Sequence, residues 1–299
     1  FYFANMAPIS VLLNSNVTDD KGLQVFYVTS QDNLGVALRN SAAKGVDSQD
    51  FYEAAADAHV GLIPVKSEIG SAVMNGLNLV VAITKHKLKD ECEKPTLNDV
   101  SIVSPVYQVL DTTGITNTTA AIVSNEDNSN AWVYYLKGSD PKEIQICEYE
   151  LTTGNIGPIS NLNIDPDCSL GAFYDTNGNG RSIIYQDKDQ GHIKEYQIES
   201  GQTIDIGDSA GAKLNTSLAV AYFEGYAYLY YTDQFMNLYR IIKDKNASKW
   251  GEHKKITPGA NPDPSSQLTA IGANGTIHLF YQAQGNKKIT HFREKAVGQ

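Results

Sequence analysis

The pattern of hydrophobic and polar positions repeats along the chain about every 50 residues. Each copy has a short apolar segment, then a stronger apolar segment that contains an aromatic residue in five of the six copies, and then a polar turn. The stronger segments are Gln24–Thr29, Leu79–Thr84, Trp132–Lys137, Ser182–Asp187, Tyr228–Asp233 and His278–Ala283. Their fourth residues, which are tyrosine in every copy but the second, are spaced 55, 53, 50, 46 and 50 residues apart. A period this steady indicates six copies of one structural unit.

Each unit is predicted to contain three or four antiparallel strands. A strand with small side chains precedes the aromatic segment, as in Leu170–Tyr174, and small side chains suit strands that crowd around an axis. A third strand follows in each copy: the candidates are Asn33–Leu38, Lys87–Cys92, Ile144–Tyr149, His192–Gln197, Asn237–Ile242 and Lys288–Arg293. A fourth segment follows in several copies, such as Trp250–Ile256. Because no helical periodicity separates the strands, the pattern predicts an all-β fold, a six-bladed β-propeller.

The whole chain, residues 1–299, is predicted to form this one propeller domain, because closed all-β folds of this length commonly form a single domain. Only Ser48–His59 has a helix-like pattern, and we assign it to an excursion between blades. The sixth copy ends soon after its third strand. We expect Phe1–Asn5 to supply its outer strand, since a ring closed by the N-terminal strand leaves only short, protected edges.

Composition narrows the range of partners. The formal net charge is −10, and an acidic surface repels phosphate backbones, so we expect no nucleic-acid partner. No apolar run approaches the ~18 residues of a membrane-spanning helix, so we expect no membrane partner. Three cysteines, Cys92, Cys147 and Cys168, are too few for a disulfide scaffold, although one bridge with one free thiol fits this count. No His/Cys cluster has zinc spacing, so no metal site is predicted.

Five N-x-Ser/Thr sequons are candidate glycosylation sites: Asn16, Asn117, Asn215, Asn246 and Asn274. Chance alone gives roughly three in a chain this rich in Asn, Ser and Thr, so the sequons favour the secretory pathway only weakly. The sequence begins at Phe1 rather than Met, which fits removal of a signal peptide and equally removal of a tag. We therefore expect a secreted glycoprotein.

The order of segments within each copy resembles that of the fungal fucose-specific lectins, which are six-bladed propellers. The resemblance covers nearly the whole chain and is best in Cys168–Glu199 and Ser266–Glu294, where an alanine-containing strand leads to a Tyr-Gln strand and a third strand. In that family fucose lies between blades. An Arg before the apolar triplet and a Glu on the third strand bind its hydroxyls, and an aromatic residue packs on its apolar face. The resemblance thus implies glycan binding.

The residues at these positions do not reproduce the lectin set. The Arg position holds Gln24, Asn78, Trp132, Ser182, Tyr228 and His278. The Glu position holds Val36, Asp90, Glu148, Glu195, Arg240 and His291. Arg181 lies one residue out of register, and a one-residue shift on a strand turns a side chain to the other face of the sheet. No single blade carries both groups, so we expect one specialised pocket in place of six equivalent sugar sites.

A second resemblance supplies the leading function. The acidic, sequon-bearing chain with only two tryptophans is similar to secreted fungal propeller proteins that act as hetero-Diels–Alderases in tropolone sesquiterpene biosynthesis. Those pericyclases join a tropolone o-quinone methide to humulenol, a humulene-type sesquiterpene alcohol. The resemblance therefore implies an enzyme with two small-molecule substrates and no cofactor. The alternative is a lectin with altered or degenerate sugar sites, and a homodimer is left open in both cases.

A cycloaddition needs two apolar partners held in a reactive geometry and a few donors that polarise the electron-poor partner. Forming the quinone methide by dehydration also needs a general acid. By their blade positions, Arg240, His278 and His291 are the candidate catalytic residues, and Trp132, Tyr228 and Glu195 are the candidate substrate-binding residues. All six also have a structural interpretation, as strand residues that pack in the blades or pair with their neighbours.

Overall fold

Each repeat folds into a twisted antiparallel sheet whose strands follow one another in chain order from the axis outward. The computed structural model describes residues 8–47, 51–53, 62–64, 67–86, 96–114, 116–138, 140, 143–286 and 288–298. Blade 1 contains β1 (Ile9–Leu13), β2 (Leu23–Val28), β3 (Leu34–Arg39) and β4 (Phe51–Glu53). Blade 2 contains β5 (Ile69–Met74), β6 (Leu77–Lys85), β7 (Leu97–Ser104) and β8 (Gln108–Gly114). Blade 3 contains β9 (Ala120–Ser124), β10 (Ala131–Lys137), β11 (Gln145–Glu150) and β12 (Ile156–Ile159).

The second half of the chain continues the same order of strands. Blade 4 contains β13 (Gly171–Asp175), β14 (Gly180–Gln186), β15 (Ile193–Gln197) and β16 (Gln202–Asp205). Blade 5 contains β17 (Ala219–Phe223), β18 (Tyr226–Thr232), β19 (Leu238–Lys243) and β20 (Lys254–Ile256). Blade 6 contains β21 (Thr269–Ala273), β22 (Thr276–Gln282) and β23 (Ile289–Lys295). Two short 3₁₀ helices, Asp19–Lys21 and Gly207–Ser209, lie in connections.

The six sheets form a closed ring. The innermost strands β1, β5, β9, β13, β17 and β21 contact one another in that order, and β21 also contacts β1. They enclose an axial cavity of about 420 Å³. The prediction of an all-β, six-bladed propeller is therefore confirmed. Within the described ranges, no helix is long and apolar enough to cross a membrane.

The core lies between the blades, where the facing sides of neighbouring sheets bury their apolar residues. The recurrent tyrosines of the aromatic strands are at most 4 % exposed: Tyr27, Tyr135, Tyr185, Tyr231 and Tyr281. Between blades 2 and 3, for example, Ile83 and Val100 share one cluster with Val133 and Tyr135. The aromatic repeat seen in the sequence therefore serves packing, because the same inter-blade space recurs at each step around the ring.

Two predicted elements are placed differently by the structure. The third strand of blade 2 is β7, Leu97–Ser104, and not Lys87–Cys92, which lies entirely outside the described residues, including Asp90. β7 buries every residue from Asn98 to Val103, and its apolar Val100, Ile102 and Val103 supply a core that the charged segment Lys87–Cys92 does not offer.

The helix-like segment Ser48–His59 contains β4 instead, which pairs with β3 through Gly35–Ala37. The strand edge of β3 overrides the local helical pattern there, and the rest of the segment lies outside the described residues. The predicted closing strand Phe1–Asn5 also lies outside them.

Candidate functional site

In each blade, one residue of the third strand faces the next blade, and these residues occupy equivalent positions in the six blades. In five blades this is the Glu position of the sequence: Val36, Glu148, Glu195, Arg240 and His291, each opposite the third residue of its aromatic segment. In blade 2 the equivalent residue is Ile102, which lies opposite Val81. These six places correspond to one another around the ring, so their side chains can be compared directly.

Three of the six places hold a charged pair formed with the following blade, and a fourth holds a hydrogen-bonded histidine–aspartate pair. The pairs are Glu148–Arg181 at 2.8 Å, Glu195–Lys243 at 2.9 Å, Arg240–Glu294 at 2.5 Å and His291–Asp47 at 3.0 Å. The other two residues, Val36 and Ile102, pack with apolar clusters. The six equivalent positions thus differ from one another in the structure. Most of their polar side chains bind other side chains of the protein.

The interface between blades 3 and 4 differs because an aromatic surface lies beside the charged pair. We call this group the Trp132 cleft: Trp132, Tyr134, Glu148, Tyr174 and Arg181. The Arg181 guanidinium carbon lies 4.5 Å from the centre of the Trp132 ring. Trp132 and Tyr174 stack with ring centroids 6.5 Å apart and an interplanar angle of 13°. The cleft therefore combines a flat aromatic surface with a cation and a carboxylate.

The charged groups of the Trp132 cleft remain partly open to solvent. The Arg181 and Glu148 side chains are 18 % and 22 % exposed, whereas Lys243 and Glu195 in the next interface are 4 % and 0 % exposed. Burial alone would lower the pKa of Arg181, but the hydrogen bond to Glu199 and the charge of Glu148 raise it. Arg181 is therefore a fixed cation at the cleft.

Tyr134 adds a buried phenol to the cleft. Its hydroxyl is buried and has no hydrogen-bond partner among the described residues. Burial, reinforced by the nearby Glu148 carboxylate, raises the pKa of Tyr134 well above its ordinary value. The hydroxyl therefore keeps its proton beside the Glu148 carboxylate.

The sequence analysis missed the Arg181–Glu148 pair because it compared residues within one blade. Arg181 is indeed one residue out of register: Ser182 faces Glu195 on one side of β14, and Arg181 faces blade 3 on the other. That shift is what brings the guanidinium to the Glu of the preceding blade. Both residues can be identified in the sequence. Their pairing, however, follows only from the packing of blade 3 against blade 4.

Two of the predicted substrate-binding residues are buried elsewhere. Glu195 is fully buried, and its oxygens accept hydrogen bonds from Lys243 Nζ, Trp250 Nε1 at 2.8 Å and Ser182 Oγ at 2.9 Å. Tyr228 is fully buried, and its hydroxyl accepts a hydrogen bond from the Val297 amide. Trp132 alone of the three lies in the cleft, and the ligand roles of all three stay predictions.

The three predicted catalytic residues also lie apart from the cleft. Arg240 lies between blades 5 and 6 and binds Glu294, which also accepts a hydrogen bond from the Tyr230 hydroxyl. His278 and His291 lie between blades 6 and 1, with His278 Nδ1 2.9 Å from His291 Nε2. The structure thus brings the two histidines together but places Arg240 at another interface, and their catalytic roles stay predictions.

Four of the five sequon asparagines are exposed, and one is not. Asn16, Asn215, Asn246 and Asn274 lie at the surface. Asn117 is 1 % exposed, and its Nδ2 donates to Thr113 Oγ1, Leu136 O and Gly138 O. A glycan on that nitrogen is incompatible with this fold, because the same atom would have to reach the surface.

Two further groups bear on the predicted chemistry. Cys147 and Cys168 are buried free thiols, and Cys92 lies outside the described residues. In the part of the chain that is described, no group of three or more His, Cys, Asp or Glu side chains is arranged to hold a metal ion.

The axial cavity adjoins the Trp132 cleft, because Tyr174 belongs to both.

Solved structures with the same arrangement of blades provide the comparison. Aleuria aurantia lectin, in a complex with α-methyl-L-fucoside, matches with a TM-score of 0.71 and 16 % identity over 99 % of this chain and 94 % of that chain. The fold is that of the fungal fucose-specific lectins. AofleA from Arthrobotrys oligospora matches with a TM-score of 0.59 and 13 % identity over 98 % of this chain and 90 % of that one.

The same fold also occurs outside the fungal lectins. A protein of unknown function from Dyadobacter fermentans matches with a TM-score of 0.67 and 9 % identity over 99 % of this chain and 96 % of that one. No protein-family model and no curated protein matches the sequence. At these identities the likeness establishes the fold alone, so function has to be argued from the inter-blade residues.

Proposed function

We propose that the protein is a cofactor-independent hetero-Diels–Alderase that joins a tropolone o-quinone methide to a humulene-type sesquiterpene alcohol. The observation that carries the proposal is the unequal use of the six inter-blade places. The lectin-like propeller holds internal charged pairs at three of them and a histidine–aspartate pair at a fourth, and the Trp132 cleft combines its charged pair with a partly accessible aromatic surface. This arrangement favours one specialised site over six repeated ones.

The groups of the Trp132 cleft suit the electron-poor partner of such a reaction. A planar ring can stack on Trp132 or Tyr174. The Arg181 guanidinium, whose Nε and Nη1 bind Glu199 and Glu148, can donate from Nη2 to an oxygen on that ring and so withdraw electron density from it.

The axial cavity suits the apolar partner. It has a volume of about 420 Å³, within the range of ligand pockets, and its wall combines alanine, valine, leucine and isoleucine side chains with an equally large share of polar groups. Tyr174 connects this cavity to the cleft, so both partners can meet there. Holding two reactants in one geometry can remove about 7–11 kcal/mol from the barrier of a bimolecular reaction, without a nucleophile.

The direct test is to incubate the purified protein with a tropolone o-quinone methide precursor and humulenol. We expect a faster reaction and higher stereoselectivity than in buffer. Trp132→Ala and Arg181→Met should each reduce the rate at least tenfold, the loss expected for one well-placed donor or stacking surface. The matched control is Lys137→Met, which breaks a partly exposed pair with Asp111 outside the Trp132 cleft and should leave the rate unchanged.

Two outcomes would count against this function. A wild-type reaction no faster and no more selective than the buffer reaction would refute it. Retained activity in both cleft variants, with melting temperatures showing that they fold, would place the reaction elsewhere. The sequence-based candidates Arg240, His278 and His291 would then be substituted in the same assay.

Glycan binding is the second candidate function, and one observation favours it. Arg181, Glu148 and Trp132 are the three kinds of group that the lectin resemblance implies, and they lie together at one interface. A glycan array with the wild-type protein tests this candidate. We expect any bound glycan to be lost in Arg181→Ala and Glu148→Gln but retained in Lys137→Met, whereas an array without binding would exclude it.

A further inference from the structure

A chain of three titratable side chains joins the last blade to the first. His278 Nδ1 lies 2.9 Å from His291 Nε2, and His291 Nδ1 lies 3.0 Å from Asp47 Oδ1. His278 is fully buried, and the His291 side chain is 3 % exposed and stacks on Phe280 at 4.1 Å. His278, His291 and Phe280 belong to blade 6, and Asp47 lies between β3 and β4 of blade 1, so the chain crosses the interface that closes the ring.

The carboxylate fixes where the protons of this chain lie. Asp47 is ionised and can only accept, so His291 must carry its proton on Nδ1. Neutral His291 then accepts at Nε2 from His278 Nδ1–H. The remaining nitrogen, His278 Nε2, is left without a proton, and it is buried with no hydrogen-bond partner among the described residues. With both rings neutral, each contact in the chain is a normal hydrogen bond.

Two arginines make a further proton costly. Arg293 binds Asp47 directly, and the charges of Asp47 and Arg39 also act on each other. One carboxylate thus faces two guanidinium groups, and protonating either ring adds a third positive charge to buried space. Backbone carbonyls of Ala273 and Ser41 favour a proton on His278, but burial and the charges of His291 and Arg293 outweigh them.

The titration of the individual groups agrees with this charge count. Burial, His291 and Arg293 lower the pKa of His278 to about 4. Burial also lowers the pKa of His291, although Asp47 opposes the shift. Burial would raise the pKa of Asp47, but its bonds to His291 and Arg293 prevail and lower it to about 2.

We propose that the Asp47–His291–His278 chain is an acid-sensitive latch that holds blade 6 to blade 1 while both imidazoles are neutral and loosens this interface when they take up protons. The latch is independent of the proposed reaction, because it lies at a different interface from the Trp132 cleft. Its stabilising effect is complete above pH 6.5, the ordinary pKa of histidine, and is lost as the pH falls towards the lowered value in the closed ring.

Hydrogen exchange at pH 8 and pH 5, corrected for the chemical exchange rate, tests the latch. Because an opened interface restores a pKa near 6.5, the opened fraction should rise about 30-fold between these pH values for His278 alone. Peptides from β1, β2 and β22 should lose protection, while peptides from β10 and β14 should not. In the double variant His278→Gln/His291→Gln this pH dependence should disappear. His253→Gln, at an exposed histidine of blade 5, should leave it intact.

A spectroscopic readout decides the question even if the double variant fails to fold. In the wild-type protein, NMR titration of the histidine rings should show that His278 stays neutral until the pH approaches about 4 and that His291 also titrates below the ordinary value of about 6.5. Titration of both rings at or above pH 6.5 would overturn the proposal. Equal loss of protection in all six blades at pH 5 would overturn it too.

Discussion

At the scale of single residues, the direction of one side chain decides what each interface can do. Arg181 and Ser182 are neighbours on β14, yet Arg181 faces the cleft with blade 3 and Ser182 faces Glu195 at the interface with blade 5. Successive residues of a strand point to opposite faces of the sheet. Arg181 and Ser182 therefore lie at different inter-blade interfaces, although they are neighbours in the sequence. The cleft thus depends on a residue that the lectin pattern would not select.

Glu195 illustrates the opposite case, a residue at the expected place that is unavailable to a ligand. Its two oxygens accept hydrogen bonds from Lys243 Nζ at 2.9 Å each, and Trp250 supplies another donor. A buried ion pair of this kind holds two blades in register, but each charge depends on the other. The residue resembles a sugar ligand in the sequence and acts as an internal counter-ion in the structure.

We predict that Glu195→Gln is strongly destabilising. The change leaves the buried ammonium of Lys243 without a counter-ion, which typically costs about 3–5 kcal/mol. Chemical denaturation of the variant measures the loss. The matched control is Glu199→Gln, because Glu199 likewise forms an ion pair, with Arg181, but its side chain is 44 % exposed. A surface pair of this kind contributes only about 0–1 kcal/mol. Similar stability of the two variants would contradict the buried-pair interpretation.

At the scale of strands, the departures from the repeat are where the prediction failed. Blade 2 has an alanine, Ala82, at the tyrosine position, and its strand β6 pairs with β7 through irregular register near Val80 and Val81. The connection between β6 and β7 is longer than in the other blades. At the spacing of the other copies, the third strand would fall at Lys87–Cys92, but it begins at Leu97. In blade 1, β4 forms where the local pattern favoured a helix, because the edge of β3 offers it backbone partners.

At the scale of the whole molecule, polar side chains near the axis link blades 3, 4 and 5 each to the next blade. Thr119 Oγ1 accepts from the Leu170 amide, Ser169 Oγ from Leu218, and Ser217 Oγ from Leu268, at 2.8–3.2 Å. Each link has the same form: a residue just before one innermost strand binds the start of the next innermost strand. These links lie on the side of the axial cavity where the connections between blades enter the ring.

Gln267 completes this set where the ring closes. Blade 1 has Pro8 at the equivalent place, which offers no side-chain hydrogen bond. The longer side chain of Gln267 accepts from the amides of both Ile9 and Ile69, at 2.9 and 3.1 Å, and donates to the carbonyl of Ile69 at 2.8 Å. One residue of blade 6 therefore holds blades 1 and 2 together.

We predict that Gln267→Ala destabilises the closed ring by about 2 kcal/mol, since three hydrogen bonds of about 0.5–1.5 kcal/mol each are removed and water replaces them only in part. Hydrogen exchange should localise the effect to the amides of β1 and β5. Ser265→Ala serves as the control, because Ser265 binds only Asp263 of its own loop. A variant with unchanged protection of Ile9 and Ile69 would contradict this role.

The sequence by itself determined the six-fold repeat, the strand content and the aromatic packing positions, because these follow from the periodic burial of side chains such as Tyr135 and Tyr281. The tertiary structure alone decided which residues meet between blades. The Arg181–Glu148 pair and the His278–His291–Asp47 chain each join residues of two different blades. Such contacts depend on how the sheets pack face to face, and no spacing within one repeat contains that information.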